Sequence, residues 1–125
     1  MEFCDLHRQY TLYRQEIDRA IAGVIRDTAF INGPDIPALE SELAEFCGSP
    51  HAITCSSGSD AISIALMALH VKPGDEVICP AFTFIATATM ISIVGAVPVF
   101  ADVDPLTFNL DPEKIREKIT SRTKG

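Results

Sequence analysis

The chain lacks the features that mark membrane, secreted and nucleic-acid-binding proteins. No apolar run approaches the roughly 20 residues that span a bilayer, and the N-terminus lacks the basic-then-apolar pattern of a signal peptide. The 10 basic residues do not cluster and are outnumbered by 17 acidic ones, which gives a net charge of −7. This balance argues against nucleic acid or an anionic membrane as a partner. We therefore expect a cytoplasmic protein.

The chain also lacks cysteines and histidines at the spacing typical of metal ligands. The cysteines and histidines are scattered along the chain, at Cys4, Cys47, Cys55, Cys79, His7, His51 and His70. Without a C-x-x-C pair, this spacing fits neither a zinc site nor a disulfide scaffold. We predict no metal site.

Short apolar strands alternate with helices along the chain. Apolar periodicity and turn residues predict helices over Tyr10–Arg26, Pro34–Gly48, Ala61–His70, Phe84–Val94 and Asp111–Ile119, and strands over His51–Cys55, Glu76–Cys79 and Val97–Val103. Strands that are apolar on both faces favour parallel pairing in an α/β sheet. The helix Ala61–His70 is apolar nearly all round, so we expect it to be buried between layers.

The turn between the first predicted strand and the helix Ala61–His70 is the most informative stretch. Ser57, Gly58 and Ser59 are small or hydroxyl-bearing residues at the start of a helix, where free N–H groups and the helix dipole attract anions. The alternative is that Ser57 and Asp60 serve only as helix caps. The turn therefore predicts either a phosphate site or an ordinary N-cap.

Two further loops follow predicted strands and meet the same edge of a parallel sheet, where ligands collect. The first carries Phe82 and Phe84, which either stack on a planar ligand or pack as core residues. The second carries Asp102 and Asp104. An Asp-x-Asp-Pro sequence after a strand indicates a turn with an Asx cap rather than a metal site.

Six motifs in order and nearly end to end resemble the start of a DegT/DnrJ/EryC1/StrS family sugar aminotransferase. They are Phe30-Ile31-Asn32-Gly33-Pro34, Leu39-Glu40, Ser56-Ser57-Gly58-Ser59-Asp60-Ala61, Pro73-Gly74-Asp75-Glu76-Val77-Ile78, Pro80-Ala81-Phe82-Thr83-Phe84-Ile85-Ala86-Thr87 and Gly95-Ala96-Val97-Pro98-Val99-Phe100. The opening Phe3-Cys4-Asp5-Leu6 with Gln9-Tyr10 resembles the branch that aminates UDP-linked 3-keto sugars or uronates.

The resemblance implies a pyridoxal 5′-phosphate enzyme of the α/β class. Residues 1–125 would form the N-terminal part of the large, cofactor-binding domain of a fold type I transferase, a parallel-rich sheet flanked by helices that is incomplete in this chain. The family forms homodimers with active sites at the subunit interface. Gly58 and Ser59 match the positions that hold the cofactor phosphate, Phe84 matches the aromatic that stacks on the pyridine ring, and Asp60 follows as helix cap.

No catalytic residue is assigned within the chain. The resemblance places the Schiff-base lysine and the aspartate that pairs with the pyridine nitrogen well beyond Gly125. Lys124 lies in a sequence that resembles the lead-in to the next sheet strand. In the family fold, the loop with Ile31, Asn32 and Gly33 approaches the substrate. We expect these 125 residues alone to be inactive.

The function implied for the full-length enzyme is amination of a nucleotide-linked keto sugar, with glutamate as the usual amino donor, in polysaccharide or amino-sugar biosynthesis. Two alternatives stay open. One is a dehydratase of the same family, in which another residue replaces the lysine. The other is a non-catalytic α/β module that binds phosphate or a partner chain.

Overall fold

The computed structural model describes residues 4–125, which fall into two compact units, residues 4–54 and residues 55–125. Phe3, from the opening motif that suggested a UDP-sugar branch, lies outside the described residues. None of the helices within residues 4–125 is long and apolar enough to cross a membrane.

The first unit contains two helices, α1 (Leu6–Arg26) and α2 (Asp35–Cys47). Helix α1 begins four residues before the predicted start because the Asp5 carboxylate caps it and accepts from the Arg8 N–H at 2.9 Å. Helix α2 ends as predicted at Gly48, whose φ of 64° is the left-handed conformation that glycine adopts without strain. No residue within the described part of this unit is buried.

The second unit is an α/β layer. Its elements are α3 (Gly58–Ala68), β1 (Glu76–Pro80), α4 (Ala86–Ile93), β2 (Val97–Ala101) and α5 (Pro112–Lys118). Strands β1 and β2 pair in parallel, with Glu76 opposite Val97 and Pro80 opposite Ala101. The prediction of parallel pairing is therefore confirmed.

The C-terminal residues extend the sheet on the other edge of β1. Thr123 forms a parallel bridge with Glu76, and the Ile78 N–H donates to the Gly125 carbonyl at 2.8 Å. Strand β1 therefore lies between β2 and the C-terminal residues. Lys124 is placed in this strand-like segment, in agreement with the expectation that it leads into a strand.

The core of this unit lies between the sheet and two helices. Its buried apolar residues are Leu66, Val77, Cys79, Ala88, Ile91 and Ala96. Burial raises the pKa of the Cys79 thiol, which keeps this cysteine protonated and inert. The core thus uses α3, α4, strand β1 and the residue that precedes β2.

Glu76 is a buried carboxylate at the edge of this core. It accepts from the Thr120 hydroxyl at 2.5 Å and from the Arg122 Nε at 2.9 Å. These hydrogen bonds hold the pKa of Glu76 below its usual value, and the bond from Thr120 has the larger effect. The carboxylate therefore ties β1 to the segment that follows α5.

Two sequence predictions are wrong. The predicted strand His51–Cys55 is not a strand, because no segment of residues 4–125 pairs with it and an apolar run alone does not make a ladder. Ile53 in its centre is 83% exposed. The segment is held instead by Glu40, whose Oε1 accepts from both the N–H and the hydroxyl of Thr54 at 2.8 Å.

The predicted helix Ala61–His70 also differs from the structure. It begins at Gly58 and ends at Ala68, and only Ser63 and Leu66 are buried in it. Ile64, Met67 and Leu69 are exposed. The apolar pattern predicted that both faces of this helix would be buried. In this unit the helix packs on one side only, against α4.

Candidate functional site

The start of α3 presents free backbone donors. Ser57 is the N-cap, and its hydroxyl accepts from the Asp60 N–H at 3.1 Å. The N–H groups of Gly58 and Ser59 make no hydrogen bond within residues 4–125. Because these donors also lie at the positive end of the helix dipole, they can hold an anion.

The three serine hydroxyls of this turn have different roles. Those of Ser56 and Ser57 both donate to Asp60 Oδ2, the second at 2.9 Å. These hydrogen bonds, with Ser56 as the larger contributor, lower the pKa of Asp60. The hydroxyl of Ser59 makes no hydrogen bond within residues 4–125 and is available to a ligand.

The assignment of Asp60 as the helix cap is wrong in one respect. The cap is Ser57, because the helix begins at Gly58, the residue after Ser57, and not near Ala61 as predicted. Asp60 supports the cap by accepting hydrogen bonds from the Ser56 and Ser57 hydroxyls. The phosphate-site and N-cap interpretations are therefore compatible, since capping uses Ser57 and leaves Ser59 free.

A cavity of about 400 Å³ brings the three predicted cofactor residues together. It is lined by Gly58, Ser59, Ile62, Phe84, Ala86 and Thr87. The ring of Phe84 is 77% exposed, so one of its faces is accessible to a planar group. The cavity therefore combines anion donors at one element with an aromatic ring at another.

Phe82 has a different environment from Phe84. Its ring packs against that of Phe108, with centroids 5.7 Å apart and an angle of 43° between the planes. Phe82 does not line the cavity with Gly58 and Ser59. Of the two aromatic candidates in this loop, the structure brings Phe84 to the predicted phosphate residues.

Asp102 and Asp104 form a turn, as predicted. Asp104 Oδ1 accepts from the N–H groups of Leu106 at 2.9 Å and Thr107 at 2.8 Å, and the Asp102 Oδ1 accepts from Val103. The bonds from Thr107 and Leu106 lower the pKa of Asp104. Within residues 4–125, no group of three or more His, Cys, Asp or Glu side chains is arranged to hold a metal ion.

The predicted substrate residues Ile31, Asn32 and Gly33 lie in the first unit, in the turn before α2. Ile31 is 87% exposed, and Asn32 has a left-handed φ of 48°. A Cβ at Gly33 would lie 2.6 Å from the Ala29 carbonyl oxygen, which restricts this position to glycine. The turn is therefore tightly folded and presents an apolar side chain to its surroundings.

The donor set fits a phosphorylated cofactor. A Cβ built on Gly58 meets no atom within 4 Å, so the space above this backbone is open to a phosphate. Gly58 and Ser59 line the cavity with two N–H groups and one hydroxyl that have no partner within residues 4–125, and these are donors that a phosphate oxygen requires. Phe84 supplies the apolar wall that an aromatic ring would contact.

Sequence reasoning missed two contributors to this region. The first is the pair of hydroxyl bonds from Ser56 and Ser57 to Asp60, which the serine-rich turn could have indicated. The second is Phe108, which contacts Phe82 from a loop 26 positions later in the chain. No local pattern in the sequence signals that contact.

Comparison with known proteins identifies the family of this chain. The DegT/DnrJ/EryC1/StrS aminotransferase family matches residues 12–125. The chain is 47% identical, over its whole length, to UDP-2-acetamido-2-deoxy-3-oxo-D-glucuronate aminotransferase of Pseudomonas aeruginosa, of which it covers 35%. The chain thus spans about a third of the length of this relative.

Solved structures share the fold. DesV of S. venezuelae, in complex with a ketimine intermediate, superposes with a TM-score of 0.93 and 39% identity, covering 98% of this chain and 33% of that one. NtdA of Bacillus subtilis, with bound cofactor PMP, gives a TM-score of 0.84 and 40% identity, covering 87% of this chain and 25% of that one. The chain belongs to the DegT/DnrJ/EryC1/StrS aminotransferase family.

Proposed function

We propose that this chain is the N-terminal segment of the large domain of a pyridoxal 5′-phosphate-dependent aminotransferase that acts on a nucleotide-linked keto sugar. The observation that carries the proposal is the cavity shared by Gly58, Ser59 and Phe84. The cavity combines hydrogen-bond donors, which the phosphate of the cofactor requires, with an accessible aromatic side chain, which its pyridine ring can contact. Membership of the aminotransferase family supports the same function.

In this proposal, the residues of this chain bind the cofactor and orient it. The N–H groups of Gly58 and Ser59 and the Ser59 hydroxyl hold the phosphate, and the Phe84 ring packs against the pyridine ring. Holding the cofactor at both ends fixes the direction in which its reactive carbon points. Bound here, the cofactor supplies the electron sink for the transfer of the amino group.

The substrate proposed is a UDP-linked 3-keto sugar or uronate, and the amino donor is glutamate. The 47% identity to the Pseudomonas aeruginosa enzyme named for a 3-oxo-glucuronate supports this substrate class. The exposed turn with Ile31, Asn32 and Gly33 is proposed to approach the sugar. We also propose a cytoplasmic homodimer that functions in amino-sugar or polysaccharide biosynthesis.

The proposal is tested with the complete protein that contains this chain. Purified protein is incubated with pyridoxal phosphate, L-glutamate and a UDP-linked 3-keto sugar, and 2-oxoglutarate and the aminated sugar are quantified by mass spectrometry. We expect both products in equal amounts over many turnovers. With the matching UDP-sugar that lacks the keto group, we expect no aminated sugar and at most one 2-oxoglutarate per bound cofactor. Loss of water from the sugar without 2-oxoglutarate would instead identify a dehydratase.

A further inference from the structure

The turn between β2 and α5 is built on Asp104. Its N–H donates to the Asn109 carbonyl at 2.8 Å, and its carbonyl accepts from the Phe108 N–H at 2.9 Å. Its side chain accepts from the N–H groups of Leu106 and Thr107. A bridge between Val103 and Leu110 closes the turn. Four hydrogen bonds at Asp104, one of which belongs to the Val103–Leu110 bridge, thus hold this short segment.

Phe108 sits in this turn with a strained backbone. Its φ of 58° lies in the left-handed region, which is unfavourable for a residue with a Cβ. For a bulky residue this conformation is an outlier, and such outliers persist where surrounding structure determines them. With this backbone conformation, the Phe108 ring packs against that of Phe82, and both residues are more than half exposed to solvent.

The loop that carries Phe82 also carries Phe84. Its anchors are the Ala81 N–H, which donates to the Ala101 carbonyl at 2.9 Å, and the Phe84 carbonyl, which accepts from Thr87 at 3.1 Å. Between these anchors, the N–H groups of Phe82 and Thr83 make no hydrogen bond within residues 4–125. The contact between the rings of Phe82 and Phe108 is therefore a tertiary restraint on the middle of this loop, where these two N–H groups provide none.

We propose that Phe108 is a positioning residue for the cofactor ring. Through Phe82, it fixes the loop that presents Phe84 to the cavity shared with Gly58 and Ser59. The inference rests on the proposed function, because it takes the accessible face of Phe84 as the surface that contacts the pyridine ring. Phe108 itself does not line the cavity and acts only through Phe82.

The test measures reversible binding of pyridoxamine 5′-phosphate and, separately, of inorganic phosphate to the complete protein. Phe108→Asn removes the ring, while asparagine tolerates the left-handed backbone. We expect it to weaken pyridoxamine phosphate binding roughly 2- to 10-fold, the scale of a lost aromatic pair, and to leave phosphate binding unchanged. Phe108→Tyr, which keeps the ring, should bind both ligands as the unsubstituted protein does.

A second pair of variants separates positioning from general destabilisation. Phe82→Leu removes the same ring contact without touching the strained backbone, so it should reproduce the effect of Phe108→Asn. In a Phe84→Ala background, Phe108→Asn should cause no further loss, because its effect passes through Phe84. An equal loss in both backgrounds, or a parallel loss of phosphate binding, would overturn the inference.

The remaining outcomes distinguish the inference from the proposed function. If Phe84→Ala weakens pyridoxamine phosphate binding but Phe108→Asn and Phe82→Leu do not, the inference fails and the proposed function stands. If the unsubstituted protein does not bind pyridoxamine phosphate, or Phe84→Ala leaves its binding intact, the proposed cofactor site is wrong and the inference falls with it.

Discussion

The starts of α3 and α5 are capped in the same way yet differ in what they offer to a ligand. Ser57 caps α3 by accepting from the Asp60 N–H at 3.1 Å, and Asp111 caps α5 by accepting from the Glu113 N–H at 2.9 Å. In both helices one oxygen satisfies one of the N–H groups that the helix leaves unpaired.

The residues that follow each cap decide whether the helix start can bind an anion. Helix α5 continues with Pro112, which has no N–H, and with the carboxylate of Glu113 in its first turn. Helix α3 continues with Gly58 and Ser59, whose N–H groups make no hydrogen bond within residues 4–125. A cap therefore stabilises either helix, but an anion site depends on the donors that capping leaves unused.

The largest effect is expected from giving α3 an acidic first residue. Gly58→Asp places a carboxylate where the phosphate would bind, and like-charge contact of this kind costs several kcal/mol. We expect roughly 100-fold weaker binding of pyridoxal phosphate, measured by equilibrium titration. The matched control is Gly58→Asn, which has nearly the same size without the charge. Equal losses in the two variants would mean that space, not charge, governs the site.

A smaller effect on binding is expected from Ser59→Ala. Loss of a hydrogen bond to a charged group should weaken binding of pyridoxal phosphate by about 1–2 kcal/mol. Ser59→Thr keeps the hydroxyl and should bind normally. Ser57→Ala removes the cap and should instead lower the stability of the protein by about 1 kcal/mol. If Ser59→Ala binds the cofactor with unchanged affinity, this hydroxyl does not contact the phosphate.

Removing the cap of α5 should affect stability alone. Asp111→Ala leaves the Glu113 N–H without its partner, at an expected cost of about 1 kcal/mol in the free energy of unfolding. Cofactor affinity should not change, because this helix start contributes nothing to the cavity. Denaturant unfolding and cofactor titration on the same sample measure both quantities. A loss of affinity in Asp111→Ala would contradict the separation of the two helix starts.

The smallest effect is the pH dependence of the α3 cap. Since the pKa of Asp60 is lowered in the folded state, its contribution to stability is complete above the ordinary Asp range of about 4 and is lost as the pH falls through the folded pKa. An NMR titration of the Asp60 carboxyl should show this low pKa and a higher one in Ser56→Ala. Ser59→Ala should leave the titration unchanged, because Ser59 does not contact the carboxylate.

The sequence predicts the fold best where a local signal decides the structure. Gly48 and Asp111 mark a helix end and a helix start through their own conformations and hydrogen bonds, and both are found as predicted. The predicted strand at His51–Cys55 fails because a strand needs a paired neighbour, which its own residues do not specify. The exposed face of α3 was mispredicted for the same reason, since burial depends on what packs against a helix.

The candidate site was likewise predicted only in part from the sequence. Gly58, Ser59 and Phe84 are found around one cavity because α3, which begins at Gly58, packs beside α4, which follows the loop with Phe84. Their roles toward a cofactor stay predictions. The contribution of Phe108 could not be predicted, because the sequence gives no sign that a phenylalanine adopts a φ of 58°. Nor does it show which side chain will meet Phe82.

The connection between Glu76 and the segment after α5 has a consequence for the order of folding. Its partners Thr120 and Arg122 are 44 and 46 positions away in sequence. Closing a loop of this length costs more chain entropy than the crossover that pairs Glu76 with Val97, 21 positions apart, although the cost grows only slowly with length. We therefore expect β1 and β2 to pair before Thr120 and Arg122 reach Glu76, so that this edge of the sheet is completed late.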